Sequence, residues 1–168
     1  MPEIYPEECA PYSMVYYDSS EPTQRDLLIG SADGYVRRFD ESQKSDDIGA
    51  VDEAIDSYVT WGPVQLGEAS GEDGIMGSVT GILSGTGTSD VTYYLYVGDS
   101  PEVVMDKVTA NTYAVTGTVH ATGYQRGGKQ RRTARGKWGA VKIRNNTAGQ
   151  TWGMEAIDVE VTPVGRLA

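Results

Sequence analysis

Short runs of β-branched and aromatic residues, each followed by turn-forming residues, recur along most of this chain. The clearest pair lies at residues 26–39, where the run DLLIG is followed by SADG and then by YVRRF. An Asp-Gly pair between two such runs is a strong β-hairpin signal, because Gly34 adopts a positive φ without steric cost. With 21 Gly and 11 Tyr, and no long stretches rich in Ala, Leu, Lys and Glu, the sequence predicts strands and turns rather than long helices.

Seven further segments have the composition of strands. They lie at residues 14–17, 58–66, 75–83, 91–97, 113–120, 138–143 and 152–162. In the second of them, Gly62-Pro63 predicts a bulge or a sheet edge, since proline cannot donate to a ladder of hydrogen bonds. The last segment alternates apolar with polar residues, as a strand does when one face is buried. A single short helix is expected at residues 101–107, with Ser100 as its cap and Pro101 in its first turn.

These elements predict an all-β protein, with an antiparallel β-sandwich or small barrel at residues 51–168. Residues 1–50 are expected to form an acidic, extended N-terminal arm and the hairpin. Residues 40–56 carry seven acids and one base, and are expected to be a linker or an exposed loop. A length of 168 residues fits this arrangement of one domain with an arm.

Charge is distributed unevenly along the chain. Residues 1–110 hold 21 acids and 5 bases, a balance of −16, whereas residues 111–168 hold 3 acids and 9 bases, a balance of +6. Unlike patches on one small protein suit head-to-tail or ring packing, in which they meet and set the register between subunits. The alternative is an uneven but solvated surface.

One basic segment stands out between residues 126 and 137, flanked by Tyr124 and Trp138. Three interpretations stay open: a loop that pairs with an acidic neighbouring subunit, a solvated loop, or a contact with nucleic acid. The first predicts a subunit interface with acids from the 40–56 segment. Its candidate residues are Arg126, Lys129, Arg131, Arg132, Arg135, Lys137, Asp46 and Asp47.

No combination of residues predicts catalysis or a cofactor. The spacing of Gly123 to Lys129 matches a phosphate-binding loop, but Gln130 stands where a magnesium-binding Ser or Thr is needed. The triplet Gly98-Asp99-Ser100 resembles one esterase nucleophile signature, yet the single histidine, His120, has no acidic partner in any familiar order. We expect His120 to be an ordinary strand residue, the protein not to be an enzyme, and no cofactor or metal to be bound.

The compartment follows from cysteine content and from the first residues. Cys9 is the only cysteine, so no disulfide can form within the chain. The segment MPEIYPEE at residues 1–8 is acidic and broken by proline, the reverse of a signal peptide. Apolar runs are too short to cross a bilayer. We therefore expect synthesis in a cytoplasm and no membrane partner.

Two parts of the chain resemble virion structural proteins of tailed bacteriophages. The first, VYYDS at residues 15–19 with residues 26–39, resembles a strand pair of their β-propeller-like proteins. The second comprises RTARGKWGAV at 132–141, WGMEAI at 152–157 and VGR at 164–166, and is similar to the closing strands of β-domains in tail and head–tail junction proteins. The resemblance covers about a third of the chain.

The resemblance implies a non-enzymatic structural part of a virion. It would be made in the host cytoplasm and would assemble symmetrically with copies of itself and with other virion proteins in the tail or head–tail connector. Nucleic acid is a second-ranked partner. The alternatives are a capsid decoration protein and a carbohydrate-binding β-module that presents Tyr and Trp faces to sugars.

Overall fold

The protein folds into two compact units in a computed structural model that describes residues 10–39, 45–48, 51–69, 71–84, 89–121, 125–126 and 133–165. Of residues 46–48, 51–53, 125–126 and 165, only the backbone is described. The first unit consists of the described residues of Met1–Asp56 and Asn146–Gly149, and the second of those of Ser57–Asn145 and Gln150–Ala168.

The first unit contains a three-stranded antiparallel sheet. Its strands are β1 (Pro11–Tyr17), β2 (Asp26–Ser31) and β3 (Val36–Arg38), in the spatial order β1-β2-β3. The predicted hairpin is confirmed: β2 and β3 pair across a turn in which Gly34 has a φ of 85°. The strand expected at 14–17 is also present and begins earlier, at Pro11.

The prediction of a linker or exposed loop at residues 40–56 is wrong for two segments. Strands β4 (Ser45–Ile48) and β5 (Val51–Ala54) pair antiparallel, with Asp46 opposite Glu53 and Asp47 opposite Asp52. In the sequence, Gly49-Ala50 has the Gly-first composition of a two-residue hairpin loop. The acidic composition obscured that signal. Residues 40–44 lie outside the described residues.

The second unit is a β-sandwich with one helix. One sheet contains β6 (Ser57–Gln65), β12 (Trp138–Asn145), β8 (Val91–Gly98) and β9 (Val115–Val119), in that spatial order. In the other, β7 (Asp73–Leu83) pairs with β13 (Met154–Gly165) and with the short strands β10 (Gln125–Arg126) and β11 (Ala134–Gly136). In the described residues neither sheet closes into a barrel, so the sandwich alternative holds.

The core lies between the two sheets and is built from alternate residues of their strands. On β8 the inward side chains are Val91, Tyr93 and Leu95, and on β12 they are Val141 and Ile143. The other sheet contributes Met76, Val79 and Leu83 from β7 and Ile157 and Val159 from β13. Gly139 lets the sheets approach closely, since a Cβ there would lie 2.5 Å from the Met76 sulfur. These contacts confirm the predicted all-β sandwich.

Helix α1 (Pro101–Thr109) confirms the predicted helix and extends it by two residues. The Ser100 hydroxyl accepts the backbone N–H of Val103 at 3.3 Å, the usual action of an N-cap serine. Val104 and Val108 are buried against the outer face of the β6–β12–β8–β9 sheet, where Tyr96 and Ala140 receive them. The helix thereby covers one end of that face.

The edge predicted at Gly62-Pro63 is confirmed. Strand β6 is the outer strand of its sheet, and its pairing with β12 shifts register between Gly139 and Val141. Pro63 has no N–H to offer to a further strand.

Candidate functional site

In the described residues, both faces of the first unit's sheet carry exposed side chains. Among the unit's described side chains only Ser31 is buried. Tyr12, Met14 and Val36 are 81%, 62% and 70% exposed, and further large apolar side chains are exposed beside them. These are Val15, Tyr16, Tyr17, Tyr35 and Phe39. We call these eight residues the open-sheet surface.

The register places this surface on both sides of the sheet. Met14 pairs with Ile29, and Tyr16 with Leu27, on one face. Val15 pairs with Leu28 on the other. Three strands gain independent stability mainly when one apolar face is covered. The open-sheet surface therefore has the composition of a buried layer without a covering layer in the described chain.

One edge of this sheet carries charge and the other does not. Strand β3 contains Arg37 and Arg38, whereas β1 has the sequence PYSMVYY and no charged residue. Soluble proteins usually protect an exposed edge strand with charges, prolines or bulges. In β1 the only proline is its first residue, and the bulge lies between Pro11 and Ser13. Residues 14–17 form an unprotected edge within the described part of the chain.

A local ion pair fixes the hairpin turn next to this surface. Arg37 donates two hydrogen bonds to Asp33, from Nη1 to Oδ1 at 2.9 Å and from Nη2 to Oδ2 at 2.6 Å. The Asp33 carboxylate also accepts the Tyr35 backbone N–H at 3.1 Å. The Arg37 hydrogen bonds are the main cause that lowers the pKa of Asp33 to about 2.

The predicted interface residues of the basic segment are only partly described. Lys129, Arg131 and Arg132 lie outside the described residues. Arg126 belongs to β10, opposite Thr80. Arg135 lies in β11 and forms an ion pair with Asp73, with its Nε and Nη2 each 2.9 Å from Oδ2. This base is therefore paired within its own unit.

The interpretation of the basic segment as one loop is wrong at its ends, where β10 and β11 pair with β7. The long strand β7 offers unpaired backbone groups along its edge, and tertiary pairing overrides the weak strand propensity of these residues. Lys137 connects β11 to β12 through its backbone, donating to Gly98 O at 3.1 Å and accepting from the Leu66 N–H at 2.8 Å. Asp46 and Asp47 lie in β4, where only the backbone is described.

His120, expected to be an ordinary strand residue, directly follows β9 and contacts an acid that the sequence order did not indicate. Its Nδ1 lies 2.7 Å from Oδ2 of Asp90, whose Oδ1 accepts the Ala121 backbone N–H at 2.9 Å. Both contacts lower the pKa of Asp90, and the hydrogen bond from the Ala121 N–H has the larger effect. Antiparallel pairing of β8 with β9 joins Val91 to Val119, so the residues flanking that pair meet although 30 positions separate them.

The His120–Asp90 pair and the Ser100 hydroxyl are far apart. Ser100 follows the end of β8 and His120 lies beside its beginning. An eight-residue strand spans about 26 Å. The Ser100 hydroxyl also caps α1. The esterase-like triplet therefore has no histidine to activate it.

The outer face of the β6–β12–β8–β9 sheet carries an aromatic group beyond the helix. The rings of Tyr94 and Tyr113 are 5.0 Å apart with 51° between their planes. Lys142 Nζ lies 4.2 Å from the ring centre of Tyr58. Tyr113 is exposed and the other three side chains are half-buried.

The described ranges contain neither a metal-binding cluster nor a membrane-spanning helix. Nowhere in those ranges do three or more His, Cys, Asp or Glu side chains converge as a metal site would require. The described part of the chain also lacks a helix with the length and apolar character needed to span a bilayer. No protein-family model and no curated protein matches this sequence.

Proposed function

We propose that this protein is a non-enzymatic structural component of a tailed-bacteriophage virion, in the tail or head–tail junction, made in the host cytoplasm. The observation that supports assembly is the open-sheet surface, in which five aromatic and three aliphatic side chains stay exposed on one small sheet. Exposed apolar patches mark interaction sites in soluble proteins, and this sheet carries exposed apolar side chains on both of its faces. The phage context rests on the resemblance to virion proteins of residues 15–19, 26–39, 132–141, 152–157 and 164–166.

In this proposal the two units have different structural roles. The sandwich has a closed core and supplies a rigid body. The open sheet supplies the apolar surface to which neighbouring subunits bind. Asp46 and Asp47 would add an acidic contact on the same unit, and the basic segment a complementary one on the other.

A second candidate is a carbohydrate-binding module, favoured by the Tyr94–Tyr113 pair and the Lys142–Tyr58 contact. Aromatic faces bind the apolar sides of sugar rings, and neighbouring polar groups bind the hydroxyls. This surface lies on the sandwich and is separate from the open-sheet surface.

One experiment distinguishes the two functions. Tagged copies of the chain are supplied during infection by the phage that encodes it, and the tag is quantified in purified particles by mass spectrometry. The wild-type chain and Tyr113→Ser should enter particles, whereas the double variant Met14→Ser with Tyr16→Ser should be excluded, because its open-sheet surface is no longer apolar. On a glycan array, a carbohydrate module would give the opposite pattern, with loss only for Tyr113→Ser. Absence of the wild-type tag from particles would refute the virion proposal.

A further inference from the structure

We propose that β1 pairs with β1 of a second copy of this chain, antiparallel and about a two-fold axis, so that two three-stranded sheets become one six-stranded sheet. This inference deepens the proposed function by naming the partner of the open sheet, and it rests on that function. Three features of β1 support the proposal: its outer edge, which no described strand covers, its exposed apolar area and its lack of charged residues.

The edge is suited to strand addition. In the described chain β1 pairs with β2 alone, so the backbone N–H and C=O groups on its other side are available. Its residues are all exposed. An uncharged, exposed edge strand is a template for a further strand, whose main-chain hydrogen bonds supply affinity.

Strand β1 exposes a substantial apolar area for such a dimer. Fully exposed aromatic side chains present about 150–250 Å² each, so Tyr12, Tyr16 and Tyr17, which are 81%, 61% and 53% exposed, present roughly 400 Å². Met14 and Val15 add to this area. A standard interface buries about 800 Å² on each partner, so the aromatics of β1 supply about half of it and main-chain hydrogen bonds contribute the rest of the affinity.

Charge selects β1 rather than the other edge. Strand β3 has only three residues, and its Arg37 and Arg38 are held in ion pairs with Asp33 and Asp26, which a further strand on that edge would have to accommodate. Strand β1 has seven residues and carries no charge. The sandwich edge β6 is disfavoured as well, because Pro63 interrupts its donors.

Symmetry and overlap fix the register. Two copies of Pro11–Tyr17 overlap over all seven residues only when Met14 lies on the two-fold axis. That register places Met14 opposite Met14 of the second copy, and Ser13 opposite Val15. Paired residues then lie on the same face of the joined sheet, as antiparallel pairing requires.

Cysteine cross-linking tests this register in the full chain, in a background with Cys9→Ser to remove the single native cysteine. Met14→Cys should form a disulfide-linked dimer under mild oxidation, because its Cα atoms would be within the range that a disulfide spans. Val15→Cys alone should stay unlinked, whereas Val15→Cys mixed with Ser13→Cys should link. Equal linking of Val15→Cys with itself, or no linking of Met14→Cys, would overturn the proposal.

Sedimentation gives a second readout that does not depend on disulfide chemistry. The wild-type chain should sediment at twice its mass of 18.1 kDa, and more completely as salt rises, because two copies of charge −10 repel each other. Met14→Arg should give a folded monomer by circular dichroism. Val36→Arg, a similarly exposed position on β3, should stay dimeric. A wild-type monomer at every salt concentration would overturn the proposal and leave another protein as the occupant. A wild-type dimer that is absent from particles would refute the virion proposal alone, whereas a wild-type monomer that enters particles would refute the dimer alone.

Discussion

The three-stranded sheet of the first unit and the sandwich of the second are built from similar strands but differ in what covers them. In the sandwich, alternate side chains such as Val91, Leu95 and Ile143 are wholly buried between two sheets. In the open sheet, β1 has apolar side chains on both faces and every one of its residues is exposed. The comparison shows that apolar composition predicts a strand, whereas a second layer decides whether that strand has a core.

Stability should differ between the two units for the same reason. Burial of apolar side chains is the dominant favourable term in folding, and the first unit has little of it within the described chain. It depends instead on backbone pairing and on local ion pairs such as Asp33–Arg37, in which each side chain is 22% exposed. The two units are therefore expected to respond unequally to mutation and to pH.

The largest expected effect is loss of a sandwich core side chain. Leu95→Ala should lower the free energy of unfolding by about 2–5 kcal/mol, because Leu95 is 0% exposed and its removal leaves a cavity. The free energy of unfolding is measured by urea denaturation monitored through tryptophan fluorescence. This signal reports on the second unit, which contains Trp61, Trp138 and Trp152. The control Val36→Ala, at a position 70% exposed, should change that free energy by no more than about 0.5 kcal/mol. Equal losses would contradict the contrast between the units.

A smaller loss is expected where a glycine permits close packing in the sandwich. A Cβ on Gly74 would collide with the backbone carbonyl of Leu66, which cannot rotate away. Gly74→Ala should therefore destabilise the sandwich by about 1–3 kcal/mol in the same urea assay. On the same strand, a Cβ on Gly77 would meet Glu160 at an ordinary 3.7 Å, so Gly77→Ala is the matched control. If both variants lose stability equally, strand propensity rather than packing explains the effect.

The smallest effect concerns acid and the open-sheet hairpin. The pKa of Asp33 is about 2 in the folded chain, below the value of roughly 3.9 for an unfolded aspartate. A lowered folded pKa stabilises the hairpin at pH values above about 4, and this contribution disappears as the pH falls through about 2. Carboxyl NMR should show the Asp33 titration midpoint near pH 2, and exchange of the Ser31 amide, which donates to Tyr35 O at 3.0 Å, should accelerate in that window. Asp33→Asn should abolish this pH dependence, and a midpoint near pH 4 would contradict the ion pair.

Local signals predicted most of the elements. Asp33-Gly34 located the hairpin, Ser100-Pro101 located the helix, and Gly62-Pro63 located a sheet edge. Each signal acts through residues close in sequence, by a positive φ, a capping hydroxyl or a missing N–H, so its outcome depends little on the rest of the chain.

The candidate site was harder to predict because it depends on what lies far away in the sequence. The composition of β1 indicates a strand but not whether it is covered, so the sequence pointed to charged residues of the 126–137 segment and not to the open sheet. Nothing in the spacing of Asp90 and His120 indicated their contact, since pairing of β8 with β9 creates it. A search for an uncharged apolar run next to a predicted hairpin would have selected β1 as a candidate, without showing that it is exposed.

The sequence by itself determined an all-β chain, its hairpin and its helix, because turn geometry, capping and alternation are properties of neighbouring residues. Only the tertiary structure decided that the sheets of the second unit face each other, that Arg135 pairs with Asp73 and that β1 is an edge strand among the described residues. Burial, ion pairing across 62 positions and edge exposure depend on which strands meet, and that choice is made by packing of the whole core rather than by any single segment.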